Sequence, residues 1–322
     1  MFINLNPTLD NILLCCEHLK KSNLVCIPTD TVYGLAGNAF DDVSVKKIFQ
    51  IKKRPSYNPL IAHFYDMNHI AEECFVPDIV KDLAKLFMPG PLSVILKKKD
   101  TSHLSSLCSN SLNLQAVRIP NNQVALKLIE IIQMPLVAPS ANISNTLTTT
   151  EPWHIIESFK NYNLNETIYI LDDGKCDLGI ESSVIEIIDN KINILRYGSL
   201  DINKLLNNGF KIHNNYINNK IISPGMLTKH YSPKATLRLN ATFINKNEAL
   251  LAFGDINFDL PKDVIIMNLS KDKNLLEASK NLFTMLWELD KLNVEKIAIM
   301  PIPNIGLGIA INDRLNRACA TI

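Results

Sequence analysis

Apolar positions along the chain keep two rhythms, a helical one and short unbroken runs, and their alternation marks out the elements. From Asn11 to Lys20, residues Ile12, Leu13, Cys16 and Leu19 recur at helical spacing, which predicts a helix. Leu24 to Ile27 is an apolar run stopped by Pro28, the pattern of a buried strand. The next helix carries Val45, Ile48 and Phe49 on one face, with either Asp41 or Asp42 suited to its N-cap. Pro55 marks its end, because the residue before a proline is pushed out of the helical region. Leu60 to Phe64 reads as a strand, 78–87 as a helix, and MPGP (88–91) as a turn into the strand LSVIL. A strand at 114–119, a helix at 122–133 and a strand at 136–138 follow, the last opening into the polar loop PSANISNTLTTT. Strands at 168–171, 183–188 and 192–196 complete this half. It mixes βα units with adjacent strands, which predicts an α/β fold with a twisted mixed sheet rather than a simple doubly wound one.

The rhythm fails over 207–234, where Asn, Gly, Pro and Ser dominate, so this stretch reads as a linker. Beyond it, short strands at Leu250–Phe253, Val264–Met267 and Lys296–Met300 alternate with helices near 272–290 and 308–320. The first of these helices aligns Leu275, Leu282, Phe283, Leu286 and Leu289 on one face. Such alternation predicts a small parallel α/β domain. The organisation expected is therefore a domain at 1–206, a linker at 207–234 and a second domain at 235–322, in keeping with a length of 322 residues.

Composition narrows the classes. With 47% hydrophobic and 20% charged residues the chain is an ordinary globular one, not a disordered one. Lys and Arg number 33 against 32 Asp and Glu, so no global basic field draws in nucleic acid, and any nucleotide site needs a local cluster of cations. No stretch approaches the roughly 18 apolar residues of a membrane helix. The N-terminus MFINLNPTLD lacks the basic and apolar regions of a signal peptide. Seven scattered cysteines without a CxxC spacing fit reduced thiols in a cytoplasm better than a disulfide framework or a zinc ribbon.

Several segments carry candidate chemistry. In IPTDTVYGL, hydroxyls and one carboxylate follow an apolar strand, and Lys52, Lys53 and Arg54 arrive about two dozen residues later, before Pro55 and Asn58-Pro59. Two readings of the cations stand: complements to a helix dipole, or phosphate ligands held on a rigid turn, where charge-assisted hydrogen bonds are strong. Arg118 lies inside the apolar strand LQAVRIP. Either it sits at an edge with its guanidinium in water, or it faces a cavity and an anion. Arg196 repeats the theme at the end of INILRYG. VAPSANIS delivers Ser140, Asn142 and Ser144, and ESSV delivers Ser182 and Ser183, at strand ends; ligand contact and local capping both suit them. His63 closes the strand NPLIAH with no triad partner nearby, a position more often structural than catalytic. The Gly-Leu-Gly of 306–308 reads as a turn.

Taken together, PTDTVYGL, IKKRP..NPL, AVRIP, PSANIS, ESSV and LRYG, in this order, resemble the YrdC-type L-threonylcarbamoyladenylate synthases. SPGMLTKHYSP, NLFTMLWELD and PIPNIGLGIAINDR resemble the linker and C-terminal domain of the long form. The resemblance implies a YrdC-like sheet with helices around a concave cavity, plus a Rossmann-like C-terminal domain. It implies an adenylyltransferase that joins L-threonine, bicarbonate or CO2, and ATP with Mg2+ into threonylcarbamoyl-AMP and pyrophosphate. Other proteins then pass the group to an adenosine beside the anticodon of tRNA. By positional match, Lys52, Arg54, Asn58, Ser140, Asn142, Thr148, Arg196, His230 and Tyr231 would contact ATP, His230 and Tyr231 as a lid. Thr31, His63, Arg118, Ala138 and Ser182 would hold threonine. No protein nucleophile is required. Asn145 replaces a glycine common in the family, Tyr197 turns its LRPG into LRYG, and Leu114 stands where a threonine is common. Two rivals remain at this stage: an RNA-binding module of the same fold, and an enzyme forming carbamoyl-adenylate from carbamoyl phosphate.

Overall fold

The structure, a computed structural model, describes residues 1–213 and 231–320 and contains two sheets. Ten strands build the first: β1 (Phe2–Leu5), β2 (Val25–Ile27), β3 (Gly34–Asn38), β4 (Ile61–His63), β5 (Leu92–Lys97), β6 (Leu114–Arg118), β7 (Leu136–Val137), β8 (Ile168–Leu171), β9 (Ser183–Ile188) and β10 (Lys191–Arg196). Their order is β1-β8-β2-β3-β7-β4-β6-β5-β9-β10, with parallel and antiparallel neighbours interspersed, so the sheet is mixed as expected. The second sheet joins β11 (Thr236–Arg238), β12 (Glu248–Ala252), β13 (Ile266–Asn268) and β14 (Lys296–Ile299) in the order β11-β14-β12-β13, all parallel.

Helices α1 (Leu9–Lys20), α2 (Asp42–Lys52), α3 (Met67–Glu73), α4 (Asp78–Phe87), α5 (Gln123–Ile132), α6 (Pro152–Phe159) and α7 (Ile202–Asn207) accompany the first sheet. Helices α8 (Leu275–Lys291) and α9 (Leu307–Cys319) accompany the second. Local chemistry sets their ends. Asp41, not Asp42, caps α2 by accepting from the Val43 and Ser44 amides, and Lys53 closes it in the left-handed region. Thr8, Asn122 and Asn274 cap α1, α5 and α8 in the same way.

Alternation along β2 feeds opposite faces of the sheet. Leu24 and Cys26 enter one core with Leu35, Ile48 and Ala62, while Val25 and Ile27 enter another with α1 and α5. A further core lies between α8, α9 and the second sheet, around Leu251, Leu282, Phe283, Leu286 and Ile299. Leu147 and Ile180, from loops of the first sheet, are buried in it as well.

Three strands depart from expectation. β1, β3 (Gly-Leu-Ala-Gly-Asn) and β11 are short segments that the pattern left unassigned. Glycine and asparagine are poor strand formers, but β3 pairs on both sides, with β2 and β7, and that pairing decides its conformation. Helices α3, α6 and α7, each eight residues or fewer, were also unassigned. The proposed lid residue His230 and most of the 207–234 linker lie outside the described residues.

Candidate active site

A cavity lies over the centre of the first sheet, with about 580 Å³ of empty space counted out through its open mouth. Its wall takes Gly34 from β3, Ile61 and His63 from β4, and Arg118 from the end of β6. Ala138, Pro139 and Ser140 follow β7, Glu181 and Ser182 precede β9, Arg196 ends β10, and Thr29, Thr31, Val32, Arg54 and Tyr231 complete the lining. Of the residues singled out in the sequence, Thr31, Arg54, His63, Arg118, Ala138, Ser140, Ser182, Arg196 and Tyr231 therefore meet on one cavity.

Each arginine is held by its neighbours. Arg54, just past α2, donates from Nε to the Asn58 carbonyl (3.0 Å) and from Nη2 to the Pro59 carbonyl (2.7 Å). Arg196 donates from Nε to the Ser182 carbonyl (3.0 Å) and from Nη2 to Ser182 Oγ (3.1 Å). Ser182 Oγ in turn lies 2.8 Å from Ser93 Oγ. Burial and the nearby Arg196 charge push the Arg54 guanidinium down to about 9, despite an opposing contribution from Tyr231. Burial also lowers Arg196. Two buried guanidinium groups, one of which depresses the other, mark a place where an anion is stabilised.

Of the two readings of Arg118, the solvated edge is excluded: β6 is flanked by β4 and β5, and Arg118 lines the cavity and pairs with Asp30, Nη2 to Oδ1, at 2.5 Å. Nη1 donates to Thr31 Oγ1 (2.8 Å) and Nε to the Gly90 carbonyl (3.1 Å). Asp30 also accepts from the Asn121 amide at 3.0 Å, so one carboxylate aligns the guanidinium and anchors the chain just after β6. His63 lies alongside in β4, directly opposite Arg118 in register. Burial, with Arg118 adding to it, pushes the imidazole down to about 3 and keeps it neutral. Its Nδ1 is 3.2 Å from the Ile61 carbonyl.

Lys52, Asn58, Asn142 and Thr148 are buried but are not among the lining residues. Lys52 Nζ donates to the Ser140 carbonyl and, at 2.5 Å, to the Asn142 carbonyl, so the cation is committed to the loop after β7. Burial, then the Arg54 charge, hold it well below the ordinary lysine range. Asn142 Nδ2 donates to the Ile143 and Thr146 carbonyls, folding the same loop on itself. Asn145 occupies the left-handed region at φ 70°, which asparagine adopts more readily than most residues. Asn58 keeps one buried oxygen, Oδ1, without a partner among the described residues. Thr148 Oγ1 donates to Glu181 Oε1 at 2.9 Å.

Sequence reading missed Asp30, Glu181 and Arg314. Asp30 stood in the quoted PTDTVYGL and Glu181 in ESSV, but nothing local in either motif names its partner. Glu181 is the only carboxylate among the described lining residues, and its Oε2 accepts from Arg314 Nε of α9 at 2.9 Å.

Comparison with known proteins agrees along the chain. Residues 17–198 match the Sua5_yciO_yrdC family model, described as "Telomere recombination". Residues 199–320 match Sua5_C, described as "Threonylcarbamoyl-AMP synthase, C-terminal domain". The chain is 32% identical to the threonylcarbamoyl-AMP synthase of Pyrococcus abyssi, over 95% of this chain and 93% of that one. It is 31% identical to the one of Bacillus subtilis, over 93% and 90%. The crystal structure of P. abyssi Sua5 complexed with L-threonine superposes with a TM-score of 0.85 at 30% identity, covering 99% of this chain and 97% of that one. With both regions matched in order and the fold shared from end to end, the chain belongs to the Sua5/YciO/YrdC family, in the form that carries a Sua5 C-terminal domain.

Proposed function

We propose that this protein is a threonylcarbamoyl-AMP synthase, joining L-threonine, CO2 or bicarbonate, and MgATP into threonylcarbamoyl-AMP with release of pyrophosphate. The observation that carries the reading is the convergence of Arg54, Arg118 and Arg196 on one buried cavity. The relatives bearing that name span nearly the whole chain and add support.

On the amino-acid side, Arg118 is the carboxylate ligand. A guanidinium has five N–H donors, and three are engaged by Asp30, Thr31 and Gly90, which leaves two for a bidentate pair. Thr31, Ala138, Ser182 and the neutral His63 shape the rest of the threonine pocket. On the nucleotide side, Arg54 and Arg196 neutralise the triphosphate, with Ser140 and Tyr231 beside them. Lys52, Asn58, Asn142 and Thr148 act from behind the wall, holding the loops that carry those groups. Mg2+ enters with ATP on its phosphate oxygens as part of the substrate.

The threonine amine adds to CO2, losing a proton to give a carbamate. A carbamate oxygen then attacks the α-phosphorus, and the bond to pyrophosphate breaks. Positioning and charge neutralisation suffice for this chemistry, since well-oriented groups supply about 7–11 kcal/mol and fixed cations stabilise the departing pyrophosphate. The product suits transfer by other proteins to the adenosine beside the anticodon of tRNA. No helix among the described residues is long and apolar enough to cross a membrane, and all seven cysteines are free, which supports a cytoplasmic setting.

The test is pyrophosphate release from ATP with threonine and bicarbonate each omitted in turn. The reading predicts release only when all three substrates are present. Release with carbamoyl phosphate in their place would overturn it in favour of carbamoyl-adenylate formation. Salt-sensitive RNA binding without threonine-dependent release would overturn it in favour of an RNA-binding module.

A further inference from the structure

The second unit grips the loops that carry the cavity wall. From α8, Trp287 Nε1 donates to the Thr148 carbonyl (2.8 Å), Thr284 Oγ1 to Glu151 Oε1 (2.8 Å) and Ser279 Oγ to the Leu178 carbonyl (3.0 Å). Leu147 and Ile180, immediately before Thr148 and Glu181, are buried in the core of α8 and α9. From α9, Arg314 reaches the wall itself. Its side chain is 1% exposed, bonded to Glu181 Oε2 at 2.9 Å and to Asp313 at 2.6 Å, with its guanidinium carbon 5.2 Å from the centre of the Tyr231 ring.

From this geometry we infer that Arg314 is a positioning residue for the reaction, the small unit's own contribution to the cavity, fixing the Glu181 carboxylate and the Tyr231 ring against the wall. A buried carboxylate and a buried guanidinium are each prohibitively costly alone, so they serve as mutual counter-charges 133 residues apart. Thr148 takes one Glu181 oxygen and Arg314 the other, which sets the orientation of the carboxylate. Glu181 thereby offers a fixed acceptor in a wall otherwise lined by Arg54, Arg118 and Arg196, and it balances the charge of Arg196. Neighbouring Tyr231, Glu181 and Asp313 outweigh the effect of burial on Arg314 and raise its pKa, so it stays charged. A second unit wired in this way sets the electrostatics of a site built almost wholly on the first.

The inference rests on the proposed reaction, and the experiment separates the two. In the full chain, Arg314→Met and Glu181→Gln should each lower kcat/KM for threonine-dependent pyrophosphate release at least tenfold. Arg314→Lys should recover part of the loss. The double variant should be no worse than the poorer single one, because Arg314 acts through Glu181. Arg238→Met, which breaks the Arg238–Glu248 pair in the same unit away from the cavity, should leave the rate unchanged. Arg314→Met within twofold of the unaltered protein, or losses that multiply in the double variant, would overturn the proposal. Should Arg314→Met fail to fold, the double variant, which buries neither charge, and Arg314→Lys decide the matter by the same comparison with Glu181→Gln. If the unaltered protein releases no pyrophosphate, the reaction reading fails. Calorimetric Kd values for ATP and L-threonine across the same variants then decide the positioning role, and equal values in Arg314→Met would refute it. An unaltered protein that bound neither ligand would sink both.

Discussion

Lys52 and Arg54 stand two residues apart at the end of α2, yet their neighbours use them differently. Lys52 faces inward and ties the Ser140 and Asn142 carbonyls, whereas Arg54 anchors the Asn58–Pro59 turn and reaches the cavity. Lys52→Met therefore strands the buried Asn142 carbonyl, while the Ser140 carbonyl keeps the Asn142 amide as a donor, and should destabilise the fold by about 1–3 kcal/mol, read from urea denaturation. Arg54→Met frees the Asn58 and Pro59 carbonyls in the same way and should in addition raise KM for ATP by about 10–100-fold, the value of one charge-assisted hydrogen bond of roughly 1.5–3 kcal/mol. An unchanged KM would remove Arg54 from the nucleotide site. The sequence shows that a cation cluster before Pro55 is unusual, but it does not show which cation points where. The left-handed turn at Lys53 redirects the chain between them, and packing against the loop after β7 claims the first. Arg118 is similar: its oddity in an apolar strand is visible in the sequence, its Asp30 partner 88 residues away is not.

Among the elements, the turn that follows β10 carries a strong steric demand. A Cβ built on Gly198 would lie 2.3 Å from backbone atoms of Ser182 and Ser183, so the chain after Arg196 passes directly over the residues entering β9. Backbone cannot yield as a flexible side chain does. Gly198→Ala should cost on the order of 1–3 kcal/mol and lower the rate by displacing Ser182 and Arg196 together. Equal denaturation midpoints for Gly198→Ala and the unaltered protein would show that the turn relaxes freely. The glycine is plain in LRYG, but the reason for it belongs to the contact between two strand ends. Strands with strong apolar runs, such as β2, β5 and β9, and capped amphipathic helices such as α2 and α5, are legible because their signals are local. Strand β3 is not, since its glycines take strand geometry only from the neighbours that pair with it.

Across the whole molecule, two buried histidines give an acid sensitivity that surface charge does not. His63, in the cavity, and His154, whose ring stacks on Trp287 between the two units, are both pushed down to about 3 from 6.5 by burial. The unfolded chain therefore binds protons that the folded chain refuses between those values. Stability is full above about 6.5 and falls as the pH drops toward 3, by roughly 1.4 kcal/mol per pH unit for each histidine. Urea denaturation between pH 6.5 and 5, above the carboxylate range, should show the loss, and His154→Gln should reduce its slope; a flat profile would contradict the buried neutral state. By itself the sequence determined most of the strands and helices, the mixed α/β class and the motifs that carry the family resemblance, because periodicity, capping and turn chemistry act over a few residues. Only the tertiary structure decided that Asp30 serves Arg118, that Lys52 turns away from the cavity, and that Arg314 crosses from one unit to hold Glu181 in the other. Those pairings depend on which strands and helices become neighbours, and burial, which makes an unpaired charge untenable, acts only once they have.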